Sequence, residues 1–249
     1  MRYILMTAQR DSLFLGLAIS VIFAAYIAFF LGTTAAVEEG QTSMVYAAGI
    51  SRIILILGLV IFVAFHIRRS FENREIDLML VHPISRTKFI LSYLLGYSII
   101  ALFFVLFAAI VLYLLAHIHS LNQNLEGLGI WTLSVLLEAV IMSTLAMTAS
   151  LILRSTVITV LLSLGFYVLS RMAGFVLMIV NKPGNEGFSF DIFEHISKLI
   201  PRMDFFGKTE WLLYGYKTNE EVYLFLAQAA IYTTLLAAIA IYDFKKKEF

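Results

Sequence analysis

Six long apolar runs, each long enough to cross a bilayer as a helix, restrict the folds open to this chain. A helix needs about 20 apolar residues to cross a hydrocarbon core of about 30 Å. Runs of this length exclude a membrane β-barrel, whose strands are short segments of alternating hydrophobicity. Helices satisfy every backbone hydrogen bond within lipid. The sequence therefore predicts an all-α membrane domain with spans at 13–33, 45–67, 89–116, 128–153, 156–180 and 222–241.

The composition agrees with this assignment, because 61% of the residues are hydrophobic and only 14% are charged. Soluble domains carry about 25% charged residues, so a chain this apolar cannot cover a surface that faces only water. The chain has no cysteine, which excludes disulfides and cysteine-ligated zinc or iron–sulfur sites. The first apolar run, 12–37, is too long for the apolar region of a signal peptide, and we expect it to remain as a span.

The basic residues between the spans predict the orientation of the chain. Cytoplasmic loops of membrane proteins carry an excess of Lys and Arg. One alternate set of loops, which includes both ends of the chain, holds eleven basic residues, whereas the first two loops of the other set hold none. The third loop of that other set holds five basic and seven acidic residues. We expect both termini in the cytoplasm (N-in, C-in), a cytoplasmic loop at 68–88 and an external segment at about 181–221.

A short helix is predicted in the cytoplasmic loop, at about 70–83. Phe71, Glu75 and Leu78 recur at helical spacing. Pro83 should end the helix and turn the chain into the third span. On the residues alone, a solvated loop with interfacial basic anchors explains this segment equally well.

The segment 71–95 resembles the coupling-helix region of type-2 ABC transporter permeases. Those proteins typically show an acidic residue, a Leu-Leu pair and then Pro-x-Ser-Arg before the third span. The external stretch 199–206, Leu-Ile-Pro-Arg-Met-Asp-Phe-Phe, resembles a Leu-Pro-x-x-Asp-x-Phe stretch of the permease branch linked to multicopper-enzyme maturation. Six spans, an N-terminal helix and a basic tail also match. The residues that carry the coupling-helix resemblance are Glu75, Leu78, Leu80, Pro83, Ser85 and Arg86.

The resemblance implies a permease subunit of an ABC exporter in the bacterial inner membrane. The short helix would lie in a groove of a cytoplasmic ABC ATPase subunit, and two such ATPases closing on ATP and magnesium would drive the spans between inward- and outward-facing states. A second copy of the chain, or a close relative, would complete the pathway, with spans two and five facing it. The residues implied in ATPase coupling are Glu72, Glu75, Asp77, Leu78, Leu80, Pro83 and Arg86.

No nucleotide site or catalytic set is expected in this chain. Gly207-Lys208-Thr209 matches the end of a P-loop, but position 202, where the motif requires glycine, is Arg202. His117 and His119 are the only close pair of histidines, and we expect a solvated loop there more than a copper or zinc site. Basic clusters lie at span ends, so nucleic-acid binding is not expected. The chain should hold no cofactor or metal of its own.

Three charged residues fall inside predicted spans: Arg52, Glu138 and Arg171. A charge near the bilayer centre costs about 3 kcal/mol on insertion scales, so each should find a partner. At 1.5 Å per residue, all three lie about 10 to 15 Å from the outer ends of their spans. We expect a buried Arg–Glu–Arg cluster with Glu138 and Arg171 as the best pair. It either fixes helix packing or lines the translocation path.

Two features are predicted in the external segment. Apolar residues at helical spacing over 192–200 predict an amphipathic helix that ends at Pro201. The aromatic patch at 211–216, which includes Trp211 and Tyr214, suits the membrane interface. The segment either anchors the protein at that interface or serves as an outer gate or a docking surface for a periplasmic partner.

Three rival functions remain open at this point. A secondary transporter driven by ion gradients should have spans broken by Gly or Pro, and no proline lies within a predicted span. A non-transporting scaffold or mechanotransmitter would need another external subunit to act upon. A membrane enzyme would need a convergent catalytic set, which the sequence does not show.

Overall fold

In a computed structural model, the described residues are 12–35, 38–73, 85–121, 124–153, 155–180, 200–215 and 219–246. Within these ranges the chain is helical and contains no strand. Six helices are long and apolar enough to cross a membrane, which confirms the all-α, six-span prediction. The helices are α1 (Ser12–Thr33), α2 (Glu39–Glu72), α3 (Arg86–Ile118), α4 (Leu125–Ile152), α5 (Thr156–Val180), the short α6 (Glu210–Tyr214) and α7 (Asn219–Lys246).

The helices α2 and α3 are longer than the spans predicted within them. They contain 34 and 33 residues, which is about 50 Å each at 1.5 Å per residue. Because the hydrocarbon core is only about 30 Å thick, both helices project beyond it. Residues 70–72, where the cytoplasmic helix was predicted to begin, are the last residues of α2.

The central helices of the bundle are α2, α3 and α4. In their most apolar stretches 56%, 50% and 67% of the residues are buried, against about a fifth in α1, α5 and α7. The outer helices present large apolar side chains to the surroundings, among them Phe23, Leu161, Phe175 and Ile231. Such an exterior is suited to lipid and explains how so apolar a chain can be accommodated.

Contacts between neighbouring helices define the two ends of the bundle. At the first end, which we call the basic end, Arg86 donates hydrogen bonds to the carbonyls of Phe244 and Lys245. This places the start of α3 beside the end of α7. At the far end, the start of α2 lies against the end of α3, since a Cβ on Gly40 would lie 3.0 Å from His119. The prediction that the basic end faces the cytoplasm stays a prediction.

Several predicted features lie outside the described residues. These are most of the cytoplasmic helix at 70–83, including Glu75, Asp77, Leu78, Leu80 and Pro83, and the amphipathic helix over 192–200 except for its last residue.

Candidate functional site: an inserted segment held by two arginines

A segment without α-helix, containing one 3-10 turn at Met203–Phe205, enters the bundle from the far end and returns. We call residues 200–209 the inserted segment. Asp204 lies against Gly174 of α5, and Gly207 reaches Ser134 of α4. Ser134 is nine residues beyond the start of α4, a depth of about 14 Å. The chain then returns, because Trp211 contacts Gly127 near the start of α4.

Burial shows that the inserted segment is part of the protein interior. Met203 and Phe206 are completely buried. Non-helical backbone at membrane depth is tolerated only where protein or water satisfies its polar groups. The segment can therefore lie at this depth only because its carbonyl and N–H groups have hydrogen-bond partners within the protein.

Arg52 of α2 supplies two of these partners. Its Nη1 donates to the carbonyl oxygen of Gly207 at 2.6 Å and is 3.4 Å from that of Phe206. The Arg52 side chain is 8% exposed. The charge of Arg52 would be costly in lipid. In this fold its guanidinium group instead provides a donor to carbonyl groups at the tip of the inserted segment.

Arg171 of α5 approaches the same turn from the other side. Its Nη1 donates to the carbonyl of Met203 and, at 2.8 Å, to that of Phe206. The same nitrogen lies 4.0 Å from Oε1 of Glu138 on α4. The three charged residues predicted inside the spans therefore meet around the inserted segment. Both arginines bond mainly to backbone carbonyls, which sequence reasoning did not anticipate.

Ser134 and Gly207 complete the turn at the tip of the inserted segment. The Gly207 N–H donates to Oγ of Ser134 at 2.8 Å. Gly207 has a φ of 55°, a left-handed conformation that glycine adopts without a Cβ penalty. A Cβ at this position would lie 2.7 Å from Cδ of Arg52. The sequence offered only weak signals here: a serine in an apolar helix and a glycine in a loop.

Glu138 is the acidic centre of the cluster. Its side chain is completely buried, and neither carboxylate oxygen has a hydrogen-bond partner among the described residues. The hydroxyl of Tyr167 lies close to it. Its contacts are therefore electrostatic, with Arg171 the partner within ion-pair distance.

The charges around the inserted segment do not balance. Arg202 pairs with Asp204 at 2.7 Å, and Lys208 pairs with Glu221 at 3.0 Å. These two pairs are neutral. Among the described residues, Arg52 and Arg171 then share the single negative charge of Glu138, so this cluster carries a formal net charge of +1.

The mouth of the inserted segment is closed by protein contacts. The carboxylate of Glu221 on α7 accepts from Lys208 and, at 3.1 Å, from Nε1 of Trp211. Trp211 is 1% exposed and Leu212 is 6% exposed. The prediction of an interfacial aromatic patch is wrong for these two residues, because they pack inside the protein. Tyr214 is exposed at this end and donates to Oε1 of Gln41.

An apolar groove of about 400 Å³ lies beside the cluster, between α2 and α5. Arg52 and Ile53 of α2 contribute to one wall. Leu164, Tyr167, Val168 and Arg171 of α5 contribute to the other. The resemblance implies that spans two and five line the translocation pathway. The same two spans, α2 and α5, border this groove, and both arginines contribute to its lining.

Of the residues implied in ATPase coupling, Glu72 and Arg86 lie within the described ranges, and each contacts another residue of the chain. Nε of Arg68 donates to Glu72 at 2.7 Å, in a pair exposed to the surroundings. Arg86 holds the end of α7, as given above. An exposed i,i+4 pair contributes little to stability, so Glu72 remains accessible to a partner protein.

The remaining motifs of the sequence are not grouped as a metal site within the described residues. No three His, Cys, Asp or Glu side chains are grouped there to hold a metal ion. The ring of His119 packs against Phe29 at a centroid distance of 5.2 Å. Gly207-Lys208-Thr209 forms the tip of the inserted segment and the return from it, with Lys208 committed to Glu221.

Comparison with known proteins finds no family whose sequence model matches the chain and no curated protein similar to it.

Proposed function

We propose that this chain is the permease subunit of an ATP-binding cassette exporter in the bacterial inner membrane. Two cytoplasmic ABC ATPases would bind ATP and magnesium and supply the energy, and a second permease copy would complete the pathway. The chain would move a substrate outward across the membrane without a catalytic site of its own.

One observation carries this proposal: residues 74–84 join the two longest helices of the bundle. Both α2 and α3 pack at the centre of the bundle, and α2 ends and α3 begins at the basic end. A force applied to the connecting segment would be carried along α2, which continues as one helix from Glu72 back to Arg52. Arg52 holds the tip of the inserted segment. Movement of α2 relative to α4 and α5 would therefore act directly on the far end of the bundle.

The experiment is co-purification with a separately encoded ATPase, followed by measurement of ATP hydrolysis. Leu78→Asp should abolish co-purification or reduce stimulated hydrolysis at least tenfold, because it places a charge where an apolar contact with the ATPase is expected. Tyr214→Ala is the matched control, since Tyr214 is a large exposed side chain at the far end. Equal ATPase coupling in the two variants would overturn the proposal.

An ion-driven secondary transporter receives less support from the same geometry. Such proteins coordinate cations with unwound backbone carbonyls. Here the carbonyls of Met203, Phe206 and Gly207 accept hydrogen bonds from two arginines. Positive guanidinium groups at these oxygens would repel a cation. Transport by the purified chain in liposomes, with an ion gradient and no ATPase, would favour this rival.

Mechanical action on a periplasmic partner is a second candidate, and a cavity at the far end favours it. The cavity is about 310 Å³ and is bordered by the starts of α2 and α4, the end of α3 and α6. Gln41, Asn124 and Tyr214 give it a polar rim. If a periplasmic protein occupies it, cross-linking from Tyr214→Cys should capture that partner, and ATP hydrolysis should proceed without net movement of cargo.

A further inference from the structure

The groove between α2 and α5 has an apolar wall and a charged inner boundary. Ile53 and Val168 are about half exposed along it. Its volume of about 400 Å³ lies within the range of pockets that hold one small ligand. In a membrane, this groove opens either to lipid or to a second copy of the chain.

The charge at the inner boundary is positive and incompletely balanced. Arg52 and Arg171 both border the groove, and Glu138 supplies the one negative charge between them. Arg171 is the accessible member, with 28% of its side chain exposed. In addition, Nε of Arg52 is buried without a hydrogen-bond partner among the described residues.

We propose that the groove binds a single-chain amphiphile with one anionic headgroup. The chain would lie along Ile53, Leu164 and Val168, and the headgroup would lie beside Arg171. This ligand would be the substrate of the proposed exporter. That last step rests on the proposed function, whereas the binding itself does not.

Electrostatics decides the sign of the headgroup. Attraction between charges is far stronger in a low-dielectric interior than in water. An anion would bring the net charge of the cluster from +1 to zero, whereas a cation would raise it to +2. A neutral headgroup would gain no such compensation. The size of the groove favours one acyl chain over the two chains of a phospholipid.

The experiment uses the full chain, without any ATPase, in nanodiscs of a zwitterionic lipid. The probes are a palmitic acid that carries a photoactivatable diazirine in its chain and the methyl ester of the same compound. After illumination, labelled peptides are identified by mass spectrometry over a range of probe concentrations. The acid should label α2 and α5 saturably, with half-saturation at least tenfold below that of the ester. Equal labelling by the two probes would overturn the proposal, because the charge would then not be recognised.

Two tryptophan variants test the position of the ligand. Val168→Trp should fill the groove and reduce saturable labelling by the acid at least tenfold. Leu169→Trp is the matched control, because Leu169 is the next residue, is exposed and does not border the groove. Both side chains face outward, so neither change should prevent folding. Wild-type labelling of the Val168→Trp variant would contradict the proposed position.

A second copy of the chain is the competing occupant, and the absence of cysteine makes it easy to test. The single variant Val168→Cys is exposed to a short bifunctional maleimide in the same nanodiscs. Symmetric cross-linking that palmitic acid does not reduce would show that the groove is covered by another copy, and would overturn the proposal. Saturable labelling by the acid, together with the failure of any ATPase to co-purify with the chain, would instead contradict only the proposed function. Co-purification of an ATPase, together with no saturable labelling by the acid, would contradict only this inference.

Discussion

Two arginines within the spans, Arg52 buried and Arg171 partly exposed, show how single residues support an irregular segment within a membrane protein. Arg52 and Arg171 each direct one guanidinium nitrogen at backbone carbonyls of the inserted segment. Charged residues inside spans are costly and usually face the protein interior with a partner. Here the benefit is twofold, since guanidinium nitrogens of both arginines obtain acceptors inside the protein and the carbonyls obtain donors. Glu138 then offsets part of the positive charge.

The hydrogen bond from Gly207 to Ser134 gives a prediction at the same scale. Ser134→Ala removes the acceptor of a buried N–H, which should destabilise the protein by about 1–3 kcal/mol. Thermal unfolding of the purified protein in detergent measures this loss.

Ser98→Ala is the matched control for this change. The Ser98 hydroxyl bonds only to the carbonyl of Leu94 in its own helix, an interaction that adds little to stability. We expect a change of at most about 0.5 kcal/mol. Equal losses in the two serine variants would show that the bond to Gly207 does not matter.

At the scale of elements, the inserted segment depends on close approach between helices. The start of α4 passes so near to α6 that a Cβ on Gly127 would lie 1.9 Å from the carbonyl oxygen of Trp211. The obstacle is backbone, so it cannot rotate away as a side chain can. Gly127 therefore allows α6 to cover the mouth of the inserted segment and to place Trp211 beside Glu221.

Gly127→Ala should therefore displace α6 and destabilise the far end by about 1–3 kcal/mol, the usual cost of overpacking. Gly129→Ala is the control in the same helix, because a Cβ at Gly129 meets nothing within 4 Å. It should be neutral or slightly stabilising, since alanine is the better helix former. Hydrogen exchange of the α6 amides measures the local effect. Unchanged protection in Gly127→Ala would contradict this account of the packing.

At the scale of the whole molecule, the bundle has three central helices and three outer ones. Two central helices contact the inserted segment, α2 through Arg52 and α4 through Ser134. The outer helix α5 contacts it through Arg171. Because α5 is an outer helix that also contacts the inserted segment, it is suited to transmit movement between the bundle and its surroundings. The loops at the basic end predict that this end faces the cytoplasm.

Labelling of single cysteines tests that orientation, and the chain needs no prior removal of native cysteines. Glu126 and Lys246 are exposed at opposite ends of the bundle. In intact spheroplasts, a membrane-impermeant maleimide should label Glu126→Cys at once. It should label Lys246→Cys only after the membrane is permeabilised. The reversed pattern would place the cytoplasmic ATPase at the wrong end and contradict the proposed function.

Much of the fold could be predicted from the sequence, because hydropathy is a local property. All six spans were located from runs of apolar residues, and each coincides with a described helix whose ends differ by a few residues. The three charged residues within spans were also identified as a group, because a charge in an apolar run is conspicuous. The lengths of α2 and α3 were underestimated, since their polar ends continue the helix outside the apolar run.

The placement of the inserted segment could not be predicted in this way. Sequence reasoning assigned Trp211 to the membrane interface, because an aromatic, apolar patch looks the same there as in a protein interior. The partners of Arg52 are 154 and 155 residues away. No local pattern reports that a loop carbonyl will lie within reach of a distant guanidinium group.

The sequence by itself determined the class of this protein: a six-span helical membrane chain with a charged residue inside three of its spans. Apolar runs and isolated charges can be interpreted without knowledge of the tertiary structure, because lipid disfavours unsatisfied backbone and unpaired charge in any membrane protein. The tertiary structure alone decided what those charges bind, which loop enters the bundle and where a groove remains. These outcomes depend on distances between residues remote in the chain, which only the packing of the helices brings together.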